Sequence, residues 1–227
     1  MAHIGIFGDY NSQAETHIAT NQSLQIAARR LGIEVRAEWI PTSEINRTDL
    51  DDLDAFIVNT GVYEDRDAVL YALRIVRERK IPTLAACGGF QHMILEYARN
   101  VLGLDYVGHA EFDPKLTDHI IVPLQCSLRG RKSCVSLLRD SQVGQIYQHH
   151  ETTEKFYCSF GVNPAYLETL RQSPLRIVGA DEEGVVRVTE LPEHPFFIGT
   201  LFVPQARSLE GESHPLIDEL VKLASRR

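Results

Sequence analysis

Cys87 is the residue in this chain whose neighbours most favour chemistry. The apolar run from Thr83 to Ala86 reads as a buried strand, Cys87 ends it, Gly88 and Gly89 follow, and residues from about Phe90 to Val101 show helical periodicity. A strand that turns sharply into a helix at a cysteine flanked by small residues has the layout of a nucleophile elbow. The glycines allow the turn without a Cβ clash. The start of the helix aims amide N–H groups and its dipole at the sulfur, which favours the thiolate. The chemistry would be attack on an amide, ester or other electrophile, or thiol redox cycling. The competing reading is a small apolar residue closing a buried strand, since free cysteine is among the most buried residue types.

A nucleophilic thiol needs a group to take its proton. His149-His150-Glu151 sets imidazoles beside a carboxylate. The alternative for it is a solvated loop before a strand, because adjacent side chains seldom converge on one point. Asp9 and Glu15 follow the first predicted strand and would lie near the sheet edge that carries Cys87; the alternative for Asp9 is a loop or helix-cap role. His92 sits one turn into the Cys87 helix and could be close; the alternative is a helical His that simply faces solvent or a neighbour. No ligand spacing for a metal and no Gly-rich phosphate loop stands out, so neither metal nor cofactor is expected.

The elements that must position these groups follow the chain. Strands are expected at 3–7, 34–40 and 54–59, with helices from Glu15 to Leu31 and from Asp65 to Arg79. Residues 41–53 read as a polar surface connection. This β-α-β-β-α-β-α order predicts an α/β fold with a doubly wound, mainly parallel sheet of flavodoxin-like type. Ligands of such sheets bind at the carboxyl ends of strands, where Asp9, Asn59 to Gly61 and Cys87 would meet. Further strands are expected at 120–124, 133–138, 156–160, 175–180, 185–190 and 196–202. A short helix is expected from Asn163-Pro164 to about Arg171, and a closing helix at 215–223.

The 227 residues suit a single domain spanning 1–227, and 44% hydrophobic content supports a sizeable core. A formal charge of −8 without a Lys/Arg run argues against a nucleic-acid surface. There is no secretory leader and no apolar run long enough for a membrane span. The four cysteines show no CxxC pair and no compact disulfide spacing, so a reducing cytoplasm is the expected location. The expected partner is a small polar ligand or substrate, with self-association left open.

Residues 87–104 resemble the class I glutamine amidotransferase domain of CTP synthase. That family's elbow reads Gly-Ile-Cys-Leu-Gly-Met-Gln before a helix ending Glu-Phe-Ala-Arg-Asn-Val-Leu-Gly-Leu. Here the elbow is Ala-Ala-Cys-Gly-Gly-Phe-Gln and the helix ends Glu96-Tyr97-Ala98-Arg99-Asn100-Val101-Leu102-Gly103-Leu104. Glu111-Phe112-Asp113-Pro114, Gly161 to Leu167 and Glu190 to Gly199 match later segments in order, so the resemblance covers nearly the whole chain. The family's synthetase half has no counterpart in these residues. The resemblance implies a triad of a Cys nucleophile, a His base after the last strand and a Glu two residues beyond. Cys87 takes the first place, but the family's Phe-His-Pro-Glu is Phe202-Val203-Pro204-Gln205 here. Val203 accepts no proton and Gln205 carries no charge, so ordinary glutamine hydrolysis is not expected.

The family's oxyanion loop, Pro-Gly-Gly-Phe-Gly, aligns with Asn59-Thr60-Gly61-Val62-Tyr63, leaving Gly61 and Gly88 as candidate backbone donors. Gln91 is retained as a candidate pocket residue. The family's Arg-His-Arg-His-Arg-Tyr stretch aligns with Lys155 to Phe160 and has lost its charge pattern. His194 matches a structural His of the family. The chain is similar to the stand-alone relatives described as CTP synthase C-terminal region-related (seleno)proteins, whose name implies selenocysteine in some members and points to Cys87 as its natural counterpart. Two functions follow as expectations. One is a Cys87-dependent hydrolase, transferase or redox enzyme with a non-standard base. The other is a catalytically inactive, glutaminase-derived binding or regulatory module.

Overall fold

The computed structural model describes residues 1–61 and 63–227, and of Asn46 and Arg47 the backbone alone. The first strands are β1 (Ala2–Phe7), β2 (Val35–Ile40), β3 (Ala55–Val58) and β4 (Thr83–Ala86). They are joined by helices α1 (Glu15–Leu31) and α2 (Arg66–Glu78), and β4 leads into α3 (Gly88–Asn100). The later elements are β5 (Gly108–His109), β6 (His119–Pro123), β7 (Lys132–Leu137), α4 (Gln142–Tyr147), β8 (Glu151–Lys155), β9 (Phe160–Val162) and α5 (Leu167–Arg171). Then come β10 (Arg176–Ala180), β11 (Val186–Glu190), β12 (Phe197–Thr200) and α6 (Pro215–Ala224).

One nine-stranded sheet runs β2-β1-β3-β4-β12-β11-β10-β7-β8. The half from β2 to β12 is parallel and carries the elbow, and the strands beyond β12 pair antiparallel. β5, β6 and β9 form a separate three-stranded sheet. The inner parallel strands β1, β3, β4 and β12 are short and largely apolar because both of their faces are covered, whereas the edge strand β2 is half exposed. In β3, Ala55 and Ile57 join one hydrophobic cluster with α1 and α6 residues, while Phe56 and Val58 join another with Val69 and Leu73 of α2. This is the two-residue alternation of a strand packed on both sides. Local signals set the helix ends: the Asp65 carboxylate accepts from the Ala68 amide at 2.9 Å, and Gly32 closes α1 in the left-handed region.

Three expectations need correction. The 41–53 connection winds into 3-10 turns that bury Ile45, Leu50 and Leu53 beneath the sheet edge. Residues 156–159 belong to no strand. The chain there crosses from β8 in the large sheet to β9 in the small one, and Phe156, Cys158 and Ser159 bond the 124–131 turn instead. The strand before that crossing is β8, whose polar Glu-Thr-Thr-Glu-Lys sequence hides it, since it forms the outer edge of the sheet.

Candidate active site: the Cys87 elbow

The elbow is built by neighbouring strand ends. Ala86 pairs with Thr200, and the Cys87 amide donates to the Thr200 carbonyl at 2.8 Å. The next hydrogen bond in the chain is helical, Gln91 N–H to Cys87 C=O at 3.1 Å. Between sheet and helix, Cys87 adopts φ 52° and ψ −107°, a conformation non-glycine residues keep only when their surroundings over-determine it. Gly89 makes the close approach. A Cβ there would lie 2.3 Å from the Val58 carbonyl oxygen, whereas one on Gly88 would meet nothing nearer than the Gly61 carbonyl oxygen at 3.4 Å.

Cys87 and Cys158 are both buried. The adjacent Cys158 sulfur, first, and burial push the Cys87 thiol well above its ordinary range. The Gly88 amide and the more distant Arg129 pull the other way and lose. The Cys158 thiol in turn donates to the Leu201 carbonyl at 3.3 Å. The Cys158 sulfur and burial together keep Cys87 protonated at neutral pH.

The loop facing the elbow is held by its own contacts. His17 lies buried on α1, its Nε2–H donating to the Thr60 carbonyl at 2.9 Å while Nδ1 accepts from the Asn11 amide at 2.9 Å. The Thr60 hydroxyl donates to that of Thr16 at 2.7 Å, and the buried Tyr63 hydroxyl donates to the Asn59 carbonyl. Gly61, at φ 131°, sits against Gly88, so the two candidate oxyanion positions do come together. Val62 lies outside the described residues. Gln91 has no free amide group: Nε2 donates to the Phe160 carbonyl at 2.9 Å, and Oε1 accepts from His109 at 3.0 Å. It therefore ties α3 to the small sheet rather than lining an open pocket.

The candidate bases lie elsewhere or are engaged. Asp9 accepts from the Thr42 amide and hydroxyl, both at 2.8 Å, and from the Glu64 amide at 2.9 Å, so both its oxygens pin surface loops. Glu15 takes Lys155 at 3.2 Å and the Tyr157 hydroxyl at 3.0 Å, fastening the 155–157 segment to α1. His149 and His150 line a cavity with Arg139, Gly144 and Gln148. They stand at the start of β8, whereas the other end, Lys155, is the one whose carbonyl accepts from the Val203 amide at 2.9 Å.

His92 is closer to the elbow but bonded to it: Nδ1–H donates to the Gly88 carbonyl at 2.8 Å, and burial drops its pKa to about 4. His109, likewise buried, is held to about 3. His194 donates to the Val76 carbonyl and accepts from the Phe196 amide, bracing the turn before β12. Val203 and Gln205 are fully buried, and the Gln205 amide reaches Asn59 Oδ1 at 3.5 Å. Beyond Val203 a cavity of about 140 Å³ is lined by Glu154, Lys155 and Arg207. Glu154 is the centre of a buried network there, accepting from Tyr147 at 2.9 Å, Thr152 at 2.8 Å, Arg207 and His214. His214 Nδ1 accepts from the Leu216 amide, so its ring is neutral and Arg207 supplies the countercharge that keeps Glu154 ionised.

A family model described as "Glutamine amidotransferase class-I" matches residues 15–223. The chain belongs to the class-I glutamine amidotransferases. Among curated members of this family it is 31% identical over 240 residues to a CTP synthase from Methanopyrus kandleri, covering 98% of this chain and 45% of that protein. It is 32% identical over 233 residues to a CTP synthase from Natronomonas pharaonis, covering 96% and 42% respectively. The chain thus spans less than half the length of these relatives. Its structure is similar to the Trypanosoma brucei CTPS glutaminase domain with bound acivicin, with a TM-score of 0.88 at 21% identity over 100% of this chain and 95% of the other. A glutamine amidotransferase from Thermotoga maritima is more distant, with a TM-score of 0.59 at 11% identity over 100% and 91%.

The amidotransferase elbow was visible in the sequence, but its partner was not. Cys158 lies in the crossing between two sheets, and no spacing pattern links it to Cys87. His17 carried a helix-face signal with nothing to show that it props the Gly61 loop.

Proposed function

We propose that this chain is a glutaminase-derived binding or regulatory module that does not hydrolyse glutamine. The observation that carries this is the buried Cys87 thiol, which Cys158 and burial hold protonated, with no imidazole or carboxylate hydrogen-bonded to it among the described residues. Amide hydrolysis by a thiol needs a group to take the proton and return it to the leaving amine. The positions that resemble the family's His and Glu hold Val203 and Gln205, both buried in other contacts. The ligand of this reading is a small polar molecule near the Gly61–Gly88 amides.

A second reading rests on one feature, the elbow itself. Cys87 keeps a strained backbone and the Gly88 amide at its sulfur, which supports Cys87-dependent chemistry on an electrophile that needs no base. Incubation of the purified protein with glutamine separates these from a glutaminase. No ammonia above the rate of the Cys87→Ser variant is expected. Ammonia release that Cys87→Ser abolishes would refute the proposal. Covalent labelling of Cys87 by a chloroketone analogue of glutamine, without turnover of glutamine, favours the second reading.

A further inference from the structure

We propose that Cys87 and Cys158 form a redox site, closed to a disulfide by a hydroperoxide and reopened by thiols. Both residues are free cysteines and both are buried. The frame that holds them is made of consecutive carbonyls at the end of β12. Thr200 C=O takes the Cys87 amide at 2.8 Å, and Leu201 C=O takes the Cys158 thiol at 3.3 Å. The Leu128 amide, bonded to the Cys158 carbonyl at 3.1 Å, fixes the segment from its other side. Both belong to the same buried cluster, and Cys158 is the first influence on the Cys87 thiol, so the two sulfurs are neighbours. A neighbour of this kind cannot serve as a hydrolytic base, but it can resolve an oxidised sulfur.

The steps balance with hydrogen peroxide as oxidant. The Cys87 sulfur, in its minor thiolate form stabilised by the Gly88 amide, attacks one peroxide oxygen. An S–O bond forms, the O–O bond breaks, and the leaving hydroxide takes a proton to become water. The Cys158 sulfur then attacks the Cys87 sulfur of the sulfenic acid. The S–S bond forms, the S–O bond breaks, and the departing hydroxide carries off the Cys158 proton as a second water. In sum two thiols are oxidised and one peroxide is reduced to two waters. Hydrogen peroxide is the oxidant named because it is small and both sulfurs are buried. Contact with Cys158 keeps the sulfenic acid short-lived, ahead of further oxidation. The raised proton affinity of Cys87 makes the first step slow, which suits a site that responds to sustained oxidant. Two thiols per protein restore the dithiol, so the change is reversible. The exposed cysteines, Cys126 and Cys134, have no part in it.

The test uses the full chain with Cys126→Ser and Cys134→Ser, so that the buried pair holds the only thiols. The reduced protein is titrated with hydrogen peroxide, alkylated after denaturation, digested without reductant and analysed by mass spectrometry. The expected result is equal loss of both thiols, a peptide linking Cys87 to Cys158 within one chain, and recovery on adding dithiothreitol. With Cys158→Ser, dimedone should trap a sulfenic acid on Cys87 and no internal link should form. The linking peptide is also mapped in the wild type, so the main result survives if any variant is unstable. The proposal is overturned if both buried thiols remain alkylatable at oxidant levels that fully oxidise Cys126 and Cys134 in the wild type. It is equally overturned if Cys87 goes directly to sulfinic acid with Cys158 still reduced. A glutamine-hydrolysing protein could still pass or fail this test, so its outcome is separate from that of the function proposed above.

Discussion

Adjacent glycines of the elbow should respond oppositely to the same added methyl group. In Gly89→Ala the new Cβ would lie 2.3 Å from the Val58 carbonyl oxygen and 2.9 Å from its carbon, both backbone atoms of β3. Reaching ordinary contact requires the start of α3 to retreat from β3 by roughly 1 Å, against sheet and helix bonds on both sides. Overpacking of this kind costs about 1–3 kcal/mol. For a chain of 227 residues, each kcal/mol lowers the melting temperature by roughly 2–4 °C, so Gly89→Ala should melt roughly 2–12 °C below the parent. In Gly88→Ala the Cβ meets only the Gly61 oxygen at 3.4 Å and the Tyr63 hydroxyl at 3.8 Å, distances of normal contact. Alanine is also the better helix residue, by up to ~1 kcal/mol. Gly88→Ala should therefore match the parent or exceed it. Thermal melts followed by circular dichroism decide the matter. If Gly89→Ala melts with the parent, or Gly88→Ala falls as far as Gly89→Ala, the packing argument at the elbow is wrong.

Replacing Cys158 by Ala removes the first influence that raises the Cys87 thiol, so Cys87 should become more acidic and its alkylation by iodoacetamide should reach half-maximum at lower pH; an unchanged midpoint would show that burial alone governs this thiol. The Glu96 carboxylate, fully buried, is gripped by Arg77 at 2.7 and 3.0 Å, so Glu96→Ala, which strands the guanidinium, should cost about 3–5 kcal/mol in urea unfolding, and a loss under ~1 kcal/mol would contradict the pairing. His92 and His194, held to about 4, and His109, held to about 3, stay neutral when folded but titrate near ~6.5 when unfolded. The unfolded chain then binds more protons below that pH, so stability should be full above it and fall as the pH drops towards 4. Urea midpoints at several pH values across this range check the slope, and a flat profile would rule out buried neutral imidazoles. Asp9→Asn leaves one carboxylate oxygen replaced by a donor facing the Thr42 and Glu64 donors, and hydrogen exchange in residues 61–65 should accelerate; protection equal to the parent would mean Asp9 does not hold that loop.

Local chemistry made much of this protein readable from its sequence. The bounds of α1 and β4 follow from periodicity, from Gly32 as a stop, and from the apolar run before Cys87, because these depend on residues within one turn or one strand. The elbow motif and the segments around it also carried the family, since they resemble amidotransferase residues in order along nearly the whole chain. Position in the sheet was less legible. β8 looks like a polar loop because an edge strand need not be apolar, and the predicted strand over 156–160 failed because those residues leave one sheet for another. The candidate bases suffered the same way: Asp9, Glu15, His149 and His150 have suitable chemistry, but only packing tells which carboxylates are saturated by amides and which imidazoles sit at the far end of β8. The sequence alone thus determined the elbow's place, a cysteine between an apolar strand and a glycine pair, and set Val203 and Gln205 where the resemblance led to the expectation of a His and a Glu. Tertiary structure alone decided what Cys87 touches. Cys158 arrives there through a crossing between sheets, and the proton affinity of a buried thiol is set by such long-range neighbours rather than by residues beside it in the chain.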